Sequence, residues 1–183
     1  SILSTLYHTD QFGMGFDEVD VLTGPLIGRP KSATYRTCDV VGLDTMGLTI
    51  KTMADTLPAD PWHPHFTVPD FLQTLIDAKA LGQKTGAGIF KKVGKEIHVL
   101  DLTSKQYRPS AGQVDPHVLA ILKDRNPQTK FRALRASAHP QAQFLWSCFR
   151  DLFHYCAYHL ADIAASAREL DFAIRWGYGW NLG

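Results

Sequence analysis

The sequence predicts an all-α fold carrying one small β-hairpin. Three observations predict it. An apolar stripe at steps of three and four runs through Leu145, Phe149, Leu152, Phe153, Cys156, Leu160, Ile163, Ala164 and Ala167, the signature of a long amphipathic helix. Strand-type patterning is confined to Ile89-Phe90 and Ile97-His98-Val99-Leu100, on either side of Val93-Gly94-Lys95, and reads as a single hairpin. Finally, a pattern near the start recurs near the end. Tyr7-His8 precedes Glu18-Val19-Asp20, Tyr158-His159 precedes Glu169-Leu170-Asp171, and twelve residues separate His from Asp both times. Each copy runs into a Gly-rich loop, Gly24 to Gly28 or Gly177 to Gly183. A helix–helix–Gly-loop unit therefore occurs twice, whole over 1–138 and begun again over 139–183.

The elements follow in order. Residues 1–11 put Ile2, Leu3, Leu6 and Tyr7 on one helical face, and Gly13 and Gly15 end it. Asp17 opens a short helix that stops at Thr23-Gly24-Pro25. Ser32 is an expected N-cap, leading a helix through Tyr35, with a longer one over 39–53. Three prolines rule out regular helix over 57–64. Phe71, Leu72, Leu75 and Ile76 mark a helix over 69–80, and the hairpin comes next. Residues 101–113 are polar and irregular and are expected to be a linker. Short helices over 114–125 and 128–135 lead to the long helix over 140–165, where His139-Pro140 suits a first turn. A last helix spans 166–176 and stops at Gly177-Tyr178-Gly179. The helix at 1–11 and the long helix are expected to bury their stripes against each other about an approximate two-fold axis.

The composition narrows the function classes. The chain has 183 residues, 45% hydrophobic and 20% charged, an ordinary globular balance. A net charge of +1, from 19 Lys+Arg against 18 Asp+Glu, lacks the basic surplus of a nucleic-acid binder. No apolar run is long enough to span a bilayer, and the start lacks a secretory signal. It also lacks an initiator Met, so a fragment of a longer chain is expected. Cys148 and Cys156 are eight residues apart on one expected helix, about 12 Å at 1.5 Å per residue, beyond disulfide reach. With Cys38 isolated, three free thiols fit a reducing cytoplasm.

Several motifs invite chemistry that their context refuses. Gly82-Gln83-Lys84-Thr85-Gly86-Ala87-Gly88 resembles a phosphate loop, but Gln rather than Gly precedes Lys84, and the flanking elements are helix then strand, the wrong order. Gly13-Met14-Gly15 is followed by Asp17-Glu18, whose carboxylates would repel a pyrophosphate. Among eight histidines, His63 and His65 have strand spacing with no Cys or carboxylate cluster to complete a metal site. No Ser-His-Asp or Cys-His set assembles with any specificity. The most distinctive loop is Leu26-Ile27-Gly28-Arg29-Pro30-Lys31-Ser32, where a helix start with Arg29 and Lys31 beside it offers an anion site. A capped turn with solvated cations explains the same residues, and residue chemistry favours it.

Longer stretches carry a resemblance. Val19-Asp20-Val21-Leu22-Thr23-Gly24-Pro25-Leu26-Ile27-Gly28-Arg29-Pro30-Lys31-Ser32, running into Asp39-Val40-Val41-Gly42-Leu43-Asp44, resembles the C-terminal domain of bacterial 3-hydroxyacyl-CoA dehydrogenases. Leu81 to Phe90 is similar to that family's Gly-Lys-Thr-Gly hairpin, and Ala173 to Gly183 to the start of the domain's second copy. The resemblance implies a helical domain of the 6-phosphogluconate dehydrogenase C-terminal type. It also implies NAD-dependent oxidation of L-3-hydroxyacyl-CoA in fatty-acid β-oxidation, with NAD and a catalytic His–Glu pair in a separate Rossmann domain. None of the family's catalytic residues falls on this sequence, so none is assigned, and the chain alone is expected to be inactive. The implied role is substrate binding and dimerisation. Ile27, Gly28 and Pro30 are the candidates for lining the acyl–pantetheine path, Gly allowing close backbone approach. Expected partners are acyl-CoA, the Rossmann domain and a fused or separate enoyl-CoA hydratase, with no nucleic acid, metal or membrane span. A non-catalytic scaffold of the same fold is the alternative, and a dehydrogenase of another hydroxy acid a third reading.

Overall fold

The computed structural model describes residues 1–181. Nine α-helices carry the chain among the described residues: α1 (Ile2–Gln11), α2 (Phe16–Leu22), α3 (Tyr35–Val41), α4 (Leu43–Thr56), α5 (Asp70–Asp77), α6 (Pro116–Lys123), α7 (Pro127–Ala136), α8 (Pro140–Ile163) and α9 (Ala167–Tyr178). Between α5 and α6 lie three strands, β1 (Phe90–Val93), β2 (Glu96–Leu100) and β3 (Tyr107–Pro109), in antiparallel order β1-β2-β3. The chain forms two compact units, one of 1–14, 18–33 and 113 onward, the other of 15–17 and 34–112.

In the first unit, helix starts are written locally. Asp115, Asn126 and His139 precede Pro116, Pro127 and Pro140, and each side chain accepts a backbone N–H of the turn it caps: His117, Gln128 with Thr129, and Gln141. Such caps satisfy donors that a helix start leaves orphaned, and Pro at N1 has no N–H to lose. Helices α1 and α8 pack together. Ser4 Oγ and His8 Nε2 both reach the Asp151 carboxylate, His8 at 2.5 Å, while the Phe12 ring meets Phe144 edge-on at 6.0 Å. Later α1 residues thus meet earlier α8 residues, so the two run antiparallel. Phe149 and Phe153 turn elsewhere, stacking on each other at 5.9 Å and both against Phe131 of α7. The core half of α8 is its N-terminal half: Ala142, Phe144, Leu145 and Cys148 are buried, and no residue of α9 is.

The chain departs from expectation at three places. Residues 101–113 are not simply a linker, because Tyr107–Pro109 adds a third strand to the hairpin, pairing Val99 with Arg108 and Leu100 with Tyr107. Its anchors are distant in sequence. Tyr107 Oη donates to the Gly88 carbonyl, and Arg108 grips Asp17 through two nitrogens. Helix does not begin at Ser32. Ala33 has φ +50°, outside helical space, and α3 starts at Tyr35 after Thr34. The helix expected over 39–53 is instead split at Gly42, whose φ of +105° closes α3 and opens α4. The second unit's core is aromatic, with Phe16 against Tyr35 at 4.4 Å and against Phe71 at 5.0 Å.

Candidate functional site

The Gly24–Pro30 loop lies in the first unit and closes on itself. Gly24 C=O accepts the N–H groups of Ile27 and Arg29 at 3.1 and 3.2 Å, and Pro25 C=O accepts Gly28 N–H at 3.1 Å, making a single 3-10 turn over Pro25–Ile27. Gly28 ends it in the left-handed region, φ +75° and ψ +18°, where a residue with a Cβ is strained. The three expected wall residues are placed differently. Ile27 is 6% exposed, and its turn packs against α6. Gly28 is half-buried, and Pro30 is exposed. The loop therefore presents backbone and a proline ring outward and uses Ile27 as its anchor.

Arg29 does not extend beside a helix start with Lys31. Its guanidinium lies over the Trp180 ring, 4.0 Å from the centroid. Burial lowers its pKa to about 10, the nearby Cys148 opposing the shift, so it stays charged at neutral pH. Burial likewise pushes the Cys148 thiol up to about 12, which makes it a packing residue rather than a nucleophile. The backbone N–H of Asn181 donates to Gly28 C=O at 2.8 Å. Trp180 and Asn181 are thus loop partners that residue patterning did not single out. The repeat held the signal: Gly179 stands to Gly28 as His159 to His8, and Gly179 is also left-handed, φ +64°.

The Gly82–Gly88 segment binds itself. Asp39 Oδ1 and Oδ2 accept the N–H groups of Ile89 and Phe90 at 2.9 and 2.8 Å, and Lys84 pairs with Asp44 at 2.6 Å. Thr85 Oγ1 accepts Leu81 N–H at 2.8 Å. Lys and Thr, the residues a phosphate loop would turn to its ligand, are spent on the fold. These residues do not fit NAD either: the sheet is antiparallel, whereas dinucleotide sites form at the turn of a parallel strand–helix–strand unit. Among the described residues no group of three or more His, Cys, Asp or Glu could hold a metal ion, and no helix is long and apolar enough to cross a membrane.

Residues 4–92 match the family model of the 3-hydroxyacyl-CoA dehydrogenase C-terminal domain. This stretch belongs to that family. The domain so identified holds both the Gly24–Pro30 loop and the Gly82–Gly88 segment. The whole chain is 36% identical to a probable 3-hydroxyacyl-CoA dehydrogenase of Bacillus subtilis over 182 residues, which are 23% of that protein. A probable 3-hydroxyacyl-CoA dehydrogenase of Deinococcus radiodurans is 35% identical over 95 residues, 52% of this chain and 27% of the relative. A putative fatty acid oxidation complex trifunctional enzyme of Rickettsia prowazekii is 20% identical over 175 residues, 93% of this chain and 23% of the relative. The chain thus spans about a quarter of the length of the curated relatives it matches. No solved structure matches it.

Proposed function

We propose that the chain is the substrate-binding and dimerisation region of an NAD-dependent L-3-hydroxyacyl-CoA dehydrogenase of fatty-acid β-oxidation, with NAD and the proton-abstracting residues held by a Rossmann domain outside this chain. The observation that carries the reading is the match to the Bacillus subtilis relative, which runs through all of this chain at 36% identity. An enoyl-CoA hydratase, fused or separate, is the partner we infer from the trifunctional name of the Rickettsia relatives.

The chain's own part is to form one wall of the acyl path. Gly28 offers a backbone without a side chain, so an extended acyl–pantetheine arm can pass close to the peptide. Pro30 gives that wall a rigid apolar ring, and Ile27, buried beneath, fixes their height. Since hydride transfer belongs to NAD and its domain, this wall acts on binding, and damage to it raises KM for acyl-CoA rather than lowering the chemical step.

The test uses the full-length enzyme with acyl-CoA and NAD, NADH absorbance giving the rate. Gly28→Asn is the suitable probe, because Asn tolerates left-handed backbone while adding bulk. It should raise KM for acyl-CoA about fivefold and leave KM for NAD unchanged. The 183-residue chain by itself should show no heat of NAD binding in calorimetry. Absence of hydroxyacyl-CoA turnover in the full-length protein would refute the activity. Unchanged KM in Gly28→Asn would return the loop to a structural role.

A further inference from the structure

The Gly24–Pro30 loop of the first copy is gripped by the corresponding loop of the second. Gly28 and Gly179 occupy equivalent places in the two copies and share left-handed backbone, φ +75° and +64°. Their neighbours Arg29 and Trp180, also equivalent, stack at 4.0 Å. Asn181 N–H donates to Gly28 C=O at 2.8 Å. A symmetric pair of loops would return this bond, from residue 30 to the carbonyl of Gly179. Residue 30 is Pro, which has no N–H to give. The grip is therefore one-sided at these equivalent positions: Asn181 N–H holds the Gly28 carbonyl, and Pro30 has no N–H to return.

From this geometry we infer that Trp180 and Asn181 are positioning residues for the acyl-CoA wall, fixing the Gly28–Arg29 peptide that the substrate passes. The inference rests on the proposed reading of the Gly24–Pro30 loop as substrate-facing. Two constraints act on one peptide. The Asn181 bond fixes where the Gly28 carbonyl points, and the Trp180 face holds the Arg29 side chain that leaves the other end. Left-handed Gly28 is conformationally permissive, so without these ties its carbonyl is free to swing into the path. Neither residue touches the reacting atoms. Their effect passes through the loop, and so belongs to substrate KM.

Three variants test this in the full-length enzyme. Trp180→Leu keeps apolar bulk but removes the π face. Trp180→Phe restores a face for the guanidinium. Asn181→Pro removes the N–H together with the Asn side chain and fixes φ there, copying in the second loop what Pro30 does in the first. A desolvated cation–π contact is worth about tenfold in an equilibrium. Trp180→Leu should therefore raise KM for acyl-CoA about tenfold, and Asn181→Pro, which loses one hydrogen bond, about fivefold, with kcat and KM for NAD unchanged, and Trp180→Phe should stay near the parent. Amide hydrogen exchange gives a readout independent of activity. The amides of Ile27, Gly28 and Arg29 should exchange about tenfold faster in Trp180→Leu and about fivefold faster in Asn181→Pro, and not in Trp180→Phe. Unaltered exchange at those amides in both Trp180→Leu and Asn181→Pro would overturn the grip itself. Faster exchange with unchanged KM overturns the positioning role, and Gly28→Asn then identifies the reason. If Gly28→Asn raises KM, the loop serves substrate without needing the grip. If it does not, the substrate reading of the loop has failed.

Discussion

Asp17 ties the third strand into the second unit. Its side chain is 4% exposed, yet it accepts from both Arg108 terminal nitrogens at 2.8 and 2.9 Å and from Ala111 N–H at 2.8 Å. Burial on its own would raise the carboxyl's pKa, but the Arg108 hydrogen bonds, the Ala111 N–H and the Arg108 charge together hold it below the usual carboxylate range. A depressed folded pKa means that the stabilisation is present above the unfolded value of about 3.9 and disappears as pH falls through the folded value. Stability should therefore drop below about pH 4, and Asp17→Asn should flatten that acid limb. Arg108→Ala should lower unfolding stability at pH 7 by about 2–3 kcal/mol, below the range for fully buried pairs because Arg108 is partly exposed. Urea titrations at several pH values read both effects. An Arg108→Ala midpoint equal to the parent's would show that Asp17 is held by Ala111 alone.

At the scale of an element, the Gly82–Gly88 turn separates two kinds of glycine. A Cβ on Gly82 would lie 2.2 Å from the Asp39 carbonyl oxygen, at a φ of +102°. A Cβ on Gly86 meets nothing within 4 Å, at a φ of +77°. Both substitutions carry left-handed strain of about 1–2 kcal/mol, but only Gly82→Ala adds a backbone clash that no side chain can relieve. Gly82→Ala should thus destabilise by about 3 kcal/mol or more, and Gly86→Ala by about 1. Equal thermal shifts for the two would mean that the turn moves away from Asp39 at no cost. The motif was legible in the sequence as glycines before a hairpin, and so were the long helix and the Pro at its start, since 3.6-residue periodicity and capping are local. The third strand was not legible, because Arg108 and Tyr107 are held by Asp17 and Gly88, partners that polar spacing cannot indicate. The same limit hid Trp180. Arg29 reads as a solvated cation until the chain brings that ring over it. The half-buried Gly28 and exposed Pro30 were legible as a loop with uncommon residues, whereas the burial of Ile27 depends on α6, far along the chain.

For the whole molecule, the governing feature is how unevenly α8 and α9 are buried. Leu145 is 0% exposed, while Ile163, Trp176 and Tyr178 are 62%, 80% and 65% exposed. The stripe that continues to Ile163 and Ala167 is uniform in sequence, so its periodicity marks an apolar face along the entire length. In this chain the fully buried residues of α8 all lie in its N-terminal half, which packs with α1 and α7. A helix stabilised by tertiary burial should then lose stability along its length. Leu145→Ala should destabilise by about 3–4 kcal/mol, and Ile163→Ala by about 0.5 or less. Exposed apolar side chains concentrated at one end also favour association of like chains. Sedimentation of the 183-residue chain should accordingly depend on concentration. Replacing Ile163 and Trp176 together by Lys should abolish that dependence while leaving the unfolding midpoint in urea within error of the parent, since neither side chain is buried. If the double variant sediments like the parent, the exposed ends of α8 and α9 are not the surface through which copies meet. If it unfolds far earlier, these side chains are held in a core that their exposure denies.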